Sequence, residues 1–177
     1  MVIIFLLKHL GGGNSLELNG HSTNCRFSIE GNNNIITIQK EVELTDCDIV
    51  CIGDNNRIDI GRGTTIGGAN IICMGITTFI KIGSDCMLSS NIDIFNSDTH
   101  QILCGNKVTN ENKSIKIGNH VWIGKNVSVL KGVTIGDNSI VGIRSVVTKN
   151  ISEGTIAVGN PAREVNRNIT WSRERVM

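Results

Sequence analysis

A histidine in an irregular stretch of the chain is the clearest candidate for acid–base chemistry. The sequence contains four histidines, and among them only His100 lies where the regular pattern of the surrounding sequence fails. An imidazole titrates near neutral pH, so its neutral form can take a proton from an attacking hydroxyl group. His100 is therefore the candidate general base, and the alternative is an ordinary solvated loop residue.

Asp98, two residues before His100, has two open interpretations. Its carboxylate could orient the imidazole through the second ring nitrogen, as the third member of a catalytic triad does. It could as easily cap the turn that precedes the histidine. The sequence leaves both roles open.

A six-residue repeat dominates the second half of the chain. Aliphatic residues recur there every six positions, and a small residue follows four places after each of the first five. The aliphatic positions are Ile117, Ile123, Val129, Ile135, Val141 and Val147. Neither a helix nor a simple hairpin produces this period, whereas a coil with three flat faces does, with Gly or Asn at the corners where φ is positive. The sequence thus predicts an all-β fold, a single-stranded parallel β-helix.

The same period appears upstream, with interruptions. The predicted inward series there are Ile38–Leu44–Val50, Ile60–Ile66–Ile72 and Ile82–Leu88–Ile94. Between Ile94 and Ile117 the period fails, because the 23 positions that separate them are not a multiple of six. We therefore predict an extruded loop at about residues 95–116. The β-helix domain is predicted to span 1–161, and the polar, cationic segment 162–177 is predicted to form a C-terminal cap or short helical tail.

Composition excludes several classes of protein. A formal net charge of +1 argues against a broad nucleic-acid-binding surface. The six cysteines are not spaced as in a zinc finger, so we expect no metal site. No secretory signal accompanies them, so we expect reduced, buried thiols in the cytoplasm. The repeat places Cys86 at an inward position. The apolar start MVIIFLL is too short to span a membrane. We expect it to cap one end of the core, with peripheral contact to the inner membrane as the minor alternative.

The run IGNHVWIGKNVSVLKGVTIGDNSIVGIRSVVTKNISEGTIAVGNPAR, residues 117–163, resembles the C-terminal half of the hexapeptide-repeat acyltransferases. Together with SSNIDIFNSDTHQI at 89–102, it is most similar to the branch that O-acetylates bacterial capsular, O-antigen or sialic-acid-containing polysaccharides. The resemblance implies a left-handed β-helix, although the general rule for parallel crossovers predicts a right-handed one. It also implies a homotrimer with active sites at the subunit interfaces, and acetyl-CoA as co-substrate.

The resemblance also implies roles for particular residues. His100 occupies the family's SDxH position and would be the general base. Trp122, in the WIG motif, would be functional through its indole N–H, and the alternative is packing within the trimer. Seven positions would contact CoA, the first four through the pantetheine arm and the others at the nucleotide end: Gly124, Lys125, Gly142, Ile143, Thr148, Lys149 and Arg163. Arg144 departs from the small residue that is usual there.

The resulting prediction is an acetyl-CoA-dependent O-acetyltransferase. Its acceptor would be a sugar hydroxyl of a bacterial surface polysaccharide or its precursor, and the runner-up is a small molecule such as a simple sugar, a nucleotide-amino-sugar or an antibiotic. A cysteine acyl-enzyme at Cys104 is less favoured, since the sequence shows no activating cation beside it. A zinc carbonic anhydrase on this fold would need paired histidines, and a non-enzymatic solenoid would show regular exposed threonine columns. The sequence contains neither pattern, so both alternatives are disfavoured.

Overall fold

The computed structural model describes the backbone of residues 3–177 and the side chains from Leu10 onward. Every regular element in this part of the chain is a β-strand. The strands are β1 (Ile3–Leu10), β2 (Ser15–Leu18), β3 (His21–Glu30), β4 (Ile35–Ile38), β5 (Glu43–Thr45), β6 (Cys47–Asp54), β7 (Arg57–Ile60), β8 (Thr65–Ile66), β9 (Ala69–Ile76), β10 (Phe79–Ile82), β11 (Met87–Leu88), β12 (Ile92–Phe95), β13 (Leu103–Cys104), β14 (Lys107–Val108), β15 (Ile115–Ile117), β16 (Trp122–Ile123), β17 (Ser128–Leu130), β18 (Thr134–Ile135), β19 (Ile140–Val141), β20 (Val146–Val147), β21 (Thr155–Gly159) and β22 (Ala162–Arg167).

Parallel strands from successive coils stack into three faces, which confirms the predicted parallel β-helix. The first face contains the start of β3, then β5, β8, β11, β16, β19 and β21. The second face contains the end of β3, then β6, β9, β12, β17 and β20. The third face contains β2, β4, β7, β10, β15 and β18. Because each coil pairs with the next, the backbone groups of inner coils are satisfied along the whole stack.

The coils come in two lengths. Val129 pairs with Val147, which lies three hexads further along the chain, whereas the segment that separates Ile49 from its partner Ile71 is longer than three hexads. We call the coils up to β12 the wide coils and those from β15 onward the narrow coils. The extra residues of the wide coils lengthen the second face, where β6 and β9 have 8 residues each and β17 has 3.

The core is a column of aliphatic side chains enclosed by the three faces. All six aliphatic positions predicted from the hexads are buried, and so is Cys86. The predicted inward positions Val50 and Ile72 are wrong, because Ile49 and Ile71 occupy the core in their place. In the wide coil that contains Leu44, the next inward residue lies three positions further along the chain. At the corresponding corner of a narrow coil, the next inward residue lies four positions further. This shorter corner changes the phase of the strand that follows it.

The C-terminal segment is not helical, contrary to the prediction of a helical tail. Ala162–Arg167 forms β22, which pairs antiparallel with β21. The free edge of the last coil offers unpaired backbone groups, and a returning strand satisfies them, which a helix could not do. Residues 168–177 then follow without regular structure.

The N-terminal strand β1 pairs parallel with β3 and so extends the second face at the first coil. Of the predicted apolar cap, Met1 and Val2 lie outside the described residues. No helix that could cross a membrane occurs in residues 3–177.

Candidate active site

The loop leaves the coils where wide coils give way to narrow ones. β12 ends at Phe95, β15 begins at Ile115, and between them the loop carries the short antiparallel hairpin of β13 and β14. The loop therefore emerges at the corner between the second and third faces, which we call the loop corner (residues 53–56, 75–78 and 131–133). The wide coils project beyond the narrow ones at this corner and form a ledge beneath the loop.

A cavity of about 330 Å³ lies between this ledge and the loop. Gly53, Met74 and Gly75 line it from the coils, and His100 and Asn110 line it from the loop. Both glycines have positive φ, and a Cβ on Gly53 would lie 1.9 Å from the carbonyl oxygen of Gly75. The close stacking of the ledge therefore depends on residues without side chains.

Asn96 fixes the point at which the loop departs. Its side chain is fully buried; the amide oxygen accepts a hydrogen bond from the Met74 N–H at 2.7 Å, and the amide nitrogen donates to the Met74 carbonyl at 3.0 Å. No further strand residue stacks on Met74 here, so the Asn96 amide takes the place of a backbone partner. The sequence predicted only that Asn96 belongs to the extruded loop, and it did not predict that the side chain is buried.

The imidazole of His100 is exposed at the cavity and is held through its backbone. The His100 N–H donates to the Asp98 carbonyl at 2.7 Å, and the His100 carbonyl accepts from the Asn110 amide at 2.8 Å. The ring itself has no hydrogen-bond partner among residues 10–177. An unpartnered imidazole beside a cavity is free to exchange a proton with a ligand.

The Asp98 carboxylate contacts Lys131 and Asn110 rather than the His100 ring. The Lys131 ammonium donates to Oδ2 at 2.5 Å, and the Asn110 side-chain amide donates to the same oxygen at 2.9 Å. These donors, Lys131 first, lower the pKa of Asp98 below its ordinary value. Of the two interpretations left open by the sequence, the geometry in this chain favours a role in holding the loop.

Trp122 lies on the first face, away from the loop corner. Its side chain points outward and is 39% exposed. Its ring centroid is 6.1 Å from that of Trp171, which the C-terminal segment places on the same face. One chain by itself therefore does not bring Trp122 and His100 together.

His120 and the C-terminal segment form a cluster that the sequence analysis did not identify. The ring of His120 stacks on Trp171 at 4.2 Å between centroids, and its Nδ1 lies 2.7 Å from an Asp85 carboxylate oxygen. Trp171 donates its indole N–H to the His120 carbonyl at 2.8 Å. The sequence contained one indication of this cluster, which is the presence of Trp171 within an otherwise polar tail. His120 itself has positive φ, as expected of a corner residue.

Asp85 also receives a hydrogen bond from Arg173 at 3.0 Å. Desolvation of the Asp85 carboxylate raises its pKa, but the hydrogen bonds from His120 and Arg173 outweigh this effect, and the net pKa is lowered. The guanidinium of Arg173 also reaches the carbonyl oxygens of Gly63 and Cys86. The tail thus binds along the first face from the narrow coils to the wide ones.

Four of the predicted CoA-contacting residues share the corner between the first and second faces. The Gly124 N–H donates to the Val141 carbonyl and the Gly142 N–H donates to the Ala157 carbonyl, each at 2.8 Å, so the two glycines occupy the same corner of successive coils. Lys125 follows Gly124 and is exposed, and Ile143 follows Gly142 with 63% of its surface exposed. This corner offers a narrow backbone edge beside one apolar and one cationic side chain.

The other three predicted contacts divide between two corners. Arg163 lies in β22 opposite Val158, whose side chain lies beside Gly142. Thr148 and Lys149 follow β20, and Lys149 occupies the position in the next coil that is equivalent to Lys131 of the loop corner. Within residues 10–177 neither Lys149 nor Arg163 forms an ion pair, and the Arg163 guanidinium donates only to the carbonyl of its neighbour Ala162.

The cysteines divide into one exposed and five buried thiols. Cys104 is exposed on β13, opposite Lys107, so the expectation of buried thiols is wrong for this cysteine, which lies on the loop and not in the coils. The buried thiols are Cys25, Cys47, Cys51, Cys73 and Cys86. Burial raises the pKa of Cys86 to about 11, so this thiol is protonated at neutral pH and packs as a small apolar group. Among the described residues, no three or more His, Cys, Asp or Glu side chains converge as metal ligands would.

Comparison with known proteins identifies a family that shares the six-residue period. Residues 114–149 match the profile of the bacterial transferase hexapeptide family (six repeats). A polysialic acid O-acetyltransferase of Escherichia coli O1:K1 / APEC is 37% identical over 93 residues, which are 51% of this chain and 30% of that protein. A galactoside O-acetyltransferase of Escherichia coli (strain K12) is 53% identical over 51 residues, which are 29% of this chain and 25% of that protein. The matched segments therefore span less than a third of these curated relatives.

Solved structures match over more of the chain. The crystal structure of the polySia-specific acetyltransferase NeuO superposes with a TM-score of 0.79 at 32% identity, over 96% of this chain and 89% of that one. The polysialic acid O-acetyltransferase OatWY superposes with a TM-score of 0.71 at 29% identity, over 97% and 93%. With near-complete coverage at this level of identity, the chain belongs to the hexapeptide-repeat family of bacterial transferases.

Proposed function

We propose that this protein is an O-acetyltransferase that moves an acetyl group from acetyl-CoA to a sugar hydroxyl of a bacterial surface polysaccharide or its precursor. The observation that carries the proposal is the unpartnered imidazole of His100, held by its backbone beside a cavity at the step between wide and narrow coils. The similarity to acetyltransferases over nearly the whole fold supports the reaction class.

In the proposed reaction His100 is the general base. Its neutral imidazole takes the proton of the acceptor hydroxyl while that oxygen forms a bond to the acetyl carbon. When the carbon–sulfur bond breaks, the imidazolium returns the proton to the leaving sulfur. Acetyl-CoA supplies the acetyl group and departs as the free thiol, so atoms and charge balance without a metal or a redox step.

The residues proposed to hold CoA fit a long anionic ligand. The stacked corner of Gly124 and Gly142 presents backbone groups at regular intervals, and a Cβ on Gly124 would lie 2.8 Å from the Ile143 nitrogen. Lys125, Lys149 and Arg163 are exposed, and within the described residues no carboxylate pairs with them, so their charges remain available to phosphates. Thr148 would contribute its hydroxyl beside Lys149.

A homotrimer is part of the proposal, because one chain leaves the proposed site divided. His100 lies at the loop corner and Trp122 on the first face, and neighbouring subunits would bring such surfaces together. The Trp122 indole N–H would then donate to the substrate. In a Trp122→Ala variant we expect loss of rate with the trimer intact, as measured by thiol release and light scattering. A trimer that dissociates would instead assign Trp122 to packing.

The acceptor proposed first is a polysialic acid or a related capsular or O-antigen polysaccharide, by similarity to relatives named for polysialic acid. The second candidate is a small galactoside, favoured by the 53% identity to a galactoside O-acetyltransferase across part of the hexapeptide region. The reaction is proposed to occur in the cytoplasm, where acetyl-CoA is available.

The test is release of free CoA thiol from acetyl-CoA in the presence of polysialic acid, capsular polysaccharide, lipopolysaccharide or simple galactosides. His100→Ala should lower kcat by about 10²- to 10⁴-fold, the usual contribution of a general base, with unchanged assembly and melting temperature. The matched control is His21→Ala, at another exposed histidine on the coils, which should retain full activity. Undiminished turnover in His100→Ala would refute the proposed function of this residue.

A further inference from the structure

A network of three side chains closes the loop around His100. The Lys131 ammonium donates to Asp98 Oδ2 at 2.5 Å and to the Asn110 carbonyl at 3.2 Å. Asp98 precedes His100 on the outgoing arm of the loop, and Asn110 lies on the returning arm. Lys131 belongs to the coil itself, directly after β17. One coil residue therefore holds both arms of the loop.

The Asn110 side chain extends this network to the histidine. Its amide nitrogen donates to Asp98 Oδ2 at 2.9 Å and to the His100 carbonyl at 2.8 Å. Its amide oxygen accepts from the Ile102 N–H at 2.7 Å. The backbone is thus held before, at and after His100, while the imidazole remains free.

The ion pair between Lys131 and Asp98 is not a general feature of the repeat, because the lysines at equivalent positions of other coils do not form one in the described part of the chain. The register of the narrow coils places Lys113, Lys131 and Lys149 at the same corner of successive coils, because β15 pairs with β18 and β17 pairs with β20. Among these three lysines only Lys131 forms an ion pair within the described residues. Its side chain is 20% exposed, which is low for a lysine on a coil surface. The carboxylate comes from the loop, which lies outside the three stacked faces.

We propose that Lys131 is a positioning residue for the reaction: through Asp98 and Asn110 it fixes the backbone that carries His100 at the cavity. This inference rests on the proposed function of His100. Lys131 contacts neither the imidazole nor the cavity, so it acts only through the loop. Small displacements of a catalytic group have large effects on rate, on the order of 10²-fold for 1 Å.

The first test is Lys131→Met, which keeps the aliphatic stem and removes the donor. We expect kcat to fall about 10- to 100-fold, with the KM for acetyl-CoA within about twofold, since the Lys131 ammonium is paired with Asp98 and is not among the residues proposed to hold CoA. Amide hydrogen exchange in residues 97–112 should become faster, while exchange in β17 and β18 stays as in the parent. Lys131→Arg should recover most of the rate, because a guanidinium can donate to the same oxygens.

Two further variants make the result decisive. Asp98→Asn breaks the same ion pair from the loop side, so it should lower kcat as Lys131→Met does, and the double variant should add little to either. Lys107→Met removes a lysine from the loop hairpin that forms no ion pair within the described residues, and it should retain parental kcat. If Lys131→Met were to unfold the protein, Asp98→Asn would still test the network.

The outcomes separate this inference from the proposed function. If His100→Ala abolishes turnover but Lys131→Met and Asp98→Asn both keep parental kcat, the positioning role is overturned and the general base stands. If His100→Ala is fully active, the proposed role of His100 as general base fails, and with it the catalytic part of this inference. Hydrogen exchange in the loop would then still report whether Lys131 orders it, and unchanged exchange would overturn the structural part of the inference as well.

Discussion

The wide and narrow coils solve the same stacking problem with different side chains, and the boundary between them is where the candidate site lies. A narrow coil consists of three hexads and needs only small or aliphatic inward residues. A wide coil is longer, and its extended second face must be closed at the loop corner. Because the second face shortens abruptly from β9, with 8 residues, to β12, with 4, a ledge is exposed, and the loop covers it. The cavity therefore arises from the mismatch between the two coil types.

The inward column of the second face narrows along the stack. Following the strand register, its members are Phe27, Ile49, Ile71, Ile94, Val129 and Val147. All of them are fully buried. Side-chain volume thus falls as the coils shorten, as close packing requires.

The two regions also differ in how they close the loop corner. In the wide coils a ladder of buried amides runs from Asn34 to Asn56, with each side chain bonded to backbone groups of the next coil. The corner between the third and first faces is closed by single hydroxyls in both kinds of coil: Thr64 of a wide coil donates to the Gly83 carbonyl and Ser139 of a narrow coil donates to the Ser152 carbonyl, each at 2.8 Å. The wide coils therefore depend more heavily on buried polar groups.

The largest expected effect comes from breaking that ladder. Asn56→Leu keeps the side-chain size but removes donors to the Gly75 and Ile52 carbonyls and the acceptor for the Thr78 N–H. Each buried group left unpaired costs about 1–3 kcal/mol, so we expect the free energy of unfolding to fall by about 4 kcal/mol. The measurement is urea denaturation at fixed protein concentration.

The comparison variant in the narrow coils is Ser139→Ala. The Ser152 carbonyl keeps a second donor in Thr155, so the loss should be only about 1 kcal/mol. Equal losses in the two variants would contradict the claimed difference between the coil types.

The next largest effect is expected at the step itself. Asn96→Ala removes the amide that pairs with the N–H and carbonyl of Met74. We expect a loss of about 2–3 kcal/mol in unfolding free energy and faster hydrogen exchange at Met74. Asn106→Ala, at an exposed position in the same loop, is the control and should be neutral. A neutral Asn96→Ala would show that the ledge does not need a substitute partner.

The C-terminal segment connects the two regions along the first face, so loosening it should have a smaller effect. Trp171→Phe removes the indole hydrogen bond to the His120 carbonyl while retaining a ring to stack. A loss of about 1 kcal/mol is expected. Trp122 then remains the sole tryptophan, and its fluorescence should shift as its neighbour changes. Val176→Ala, at a fully exposed position, should alter neither property, and an unshifted spectrum in Trp171→Phe would exclude the contact between the tryptophans.

The smallest expected effect is the pH dependence of the loop. Lys131 and Asn110 hold the pKa of Asp98 below its unfolded value, so the stabilisation is complete above the ordinary carboxyl pKa of about 4 and is lost as pH falls through the lower, folded pKa. Since 40% of the Asp98 side chain is exposed, we expect less than about 1 kcal/mol.

The check is hydrogen exchange of residues 97–112, measured between about pH 5 and pH 3 after correction for the intrinsic exchange rate. Protection should decline in the parent and be low throughout in Asp98→Asn. Protection that rises on acidification would contradict the sign of the pKa shift.

Much of the fold could be predicted because a six-residue period is a local property. The inward positions from Ile117 to Val147 follow from spacing alone, and the structure confirms them. Val50 and Ile72 were misplaced because one residue fewer at a corner changes the phase of the next strand, and sequence spacing does not reveal corner length. The helical tail was wrong because β22 is stabilised by an edge that exists only once the coil has formed.

The residue types of the candidate site could be predicted from the sequence, but the contacts between those residues could not. The failure of the period marked the loop, and the loop contained a single histidine, so His100 could be named from the sequence. That Asp98 pairs with Lys131, 33 positions away along the chain, could not be inferred, because several lysines recur at equivalent positions of the repeat.

The β-helix, its aliphatic core and the identity of the candidate base could all be inferred from the amino-acid sequence, since each follows from residue type and period. Tertiary structure decided the width of the coils, the ledge, the separation of His100 from Trp122 and the partners that hold the loop. These features depend on how the corners of successive coils align in space. That alignment is set by packing between residues that lie a whole coil or more apart along the chain, which no local pattern encodes.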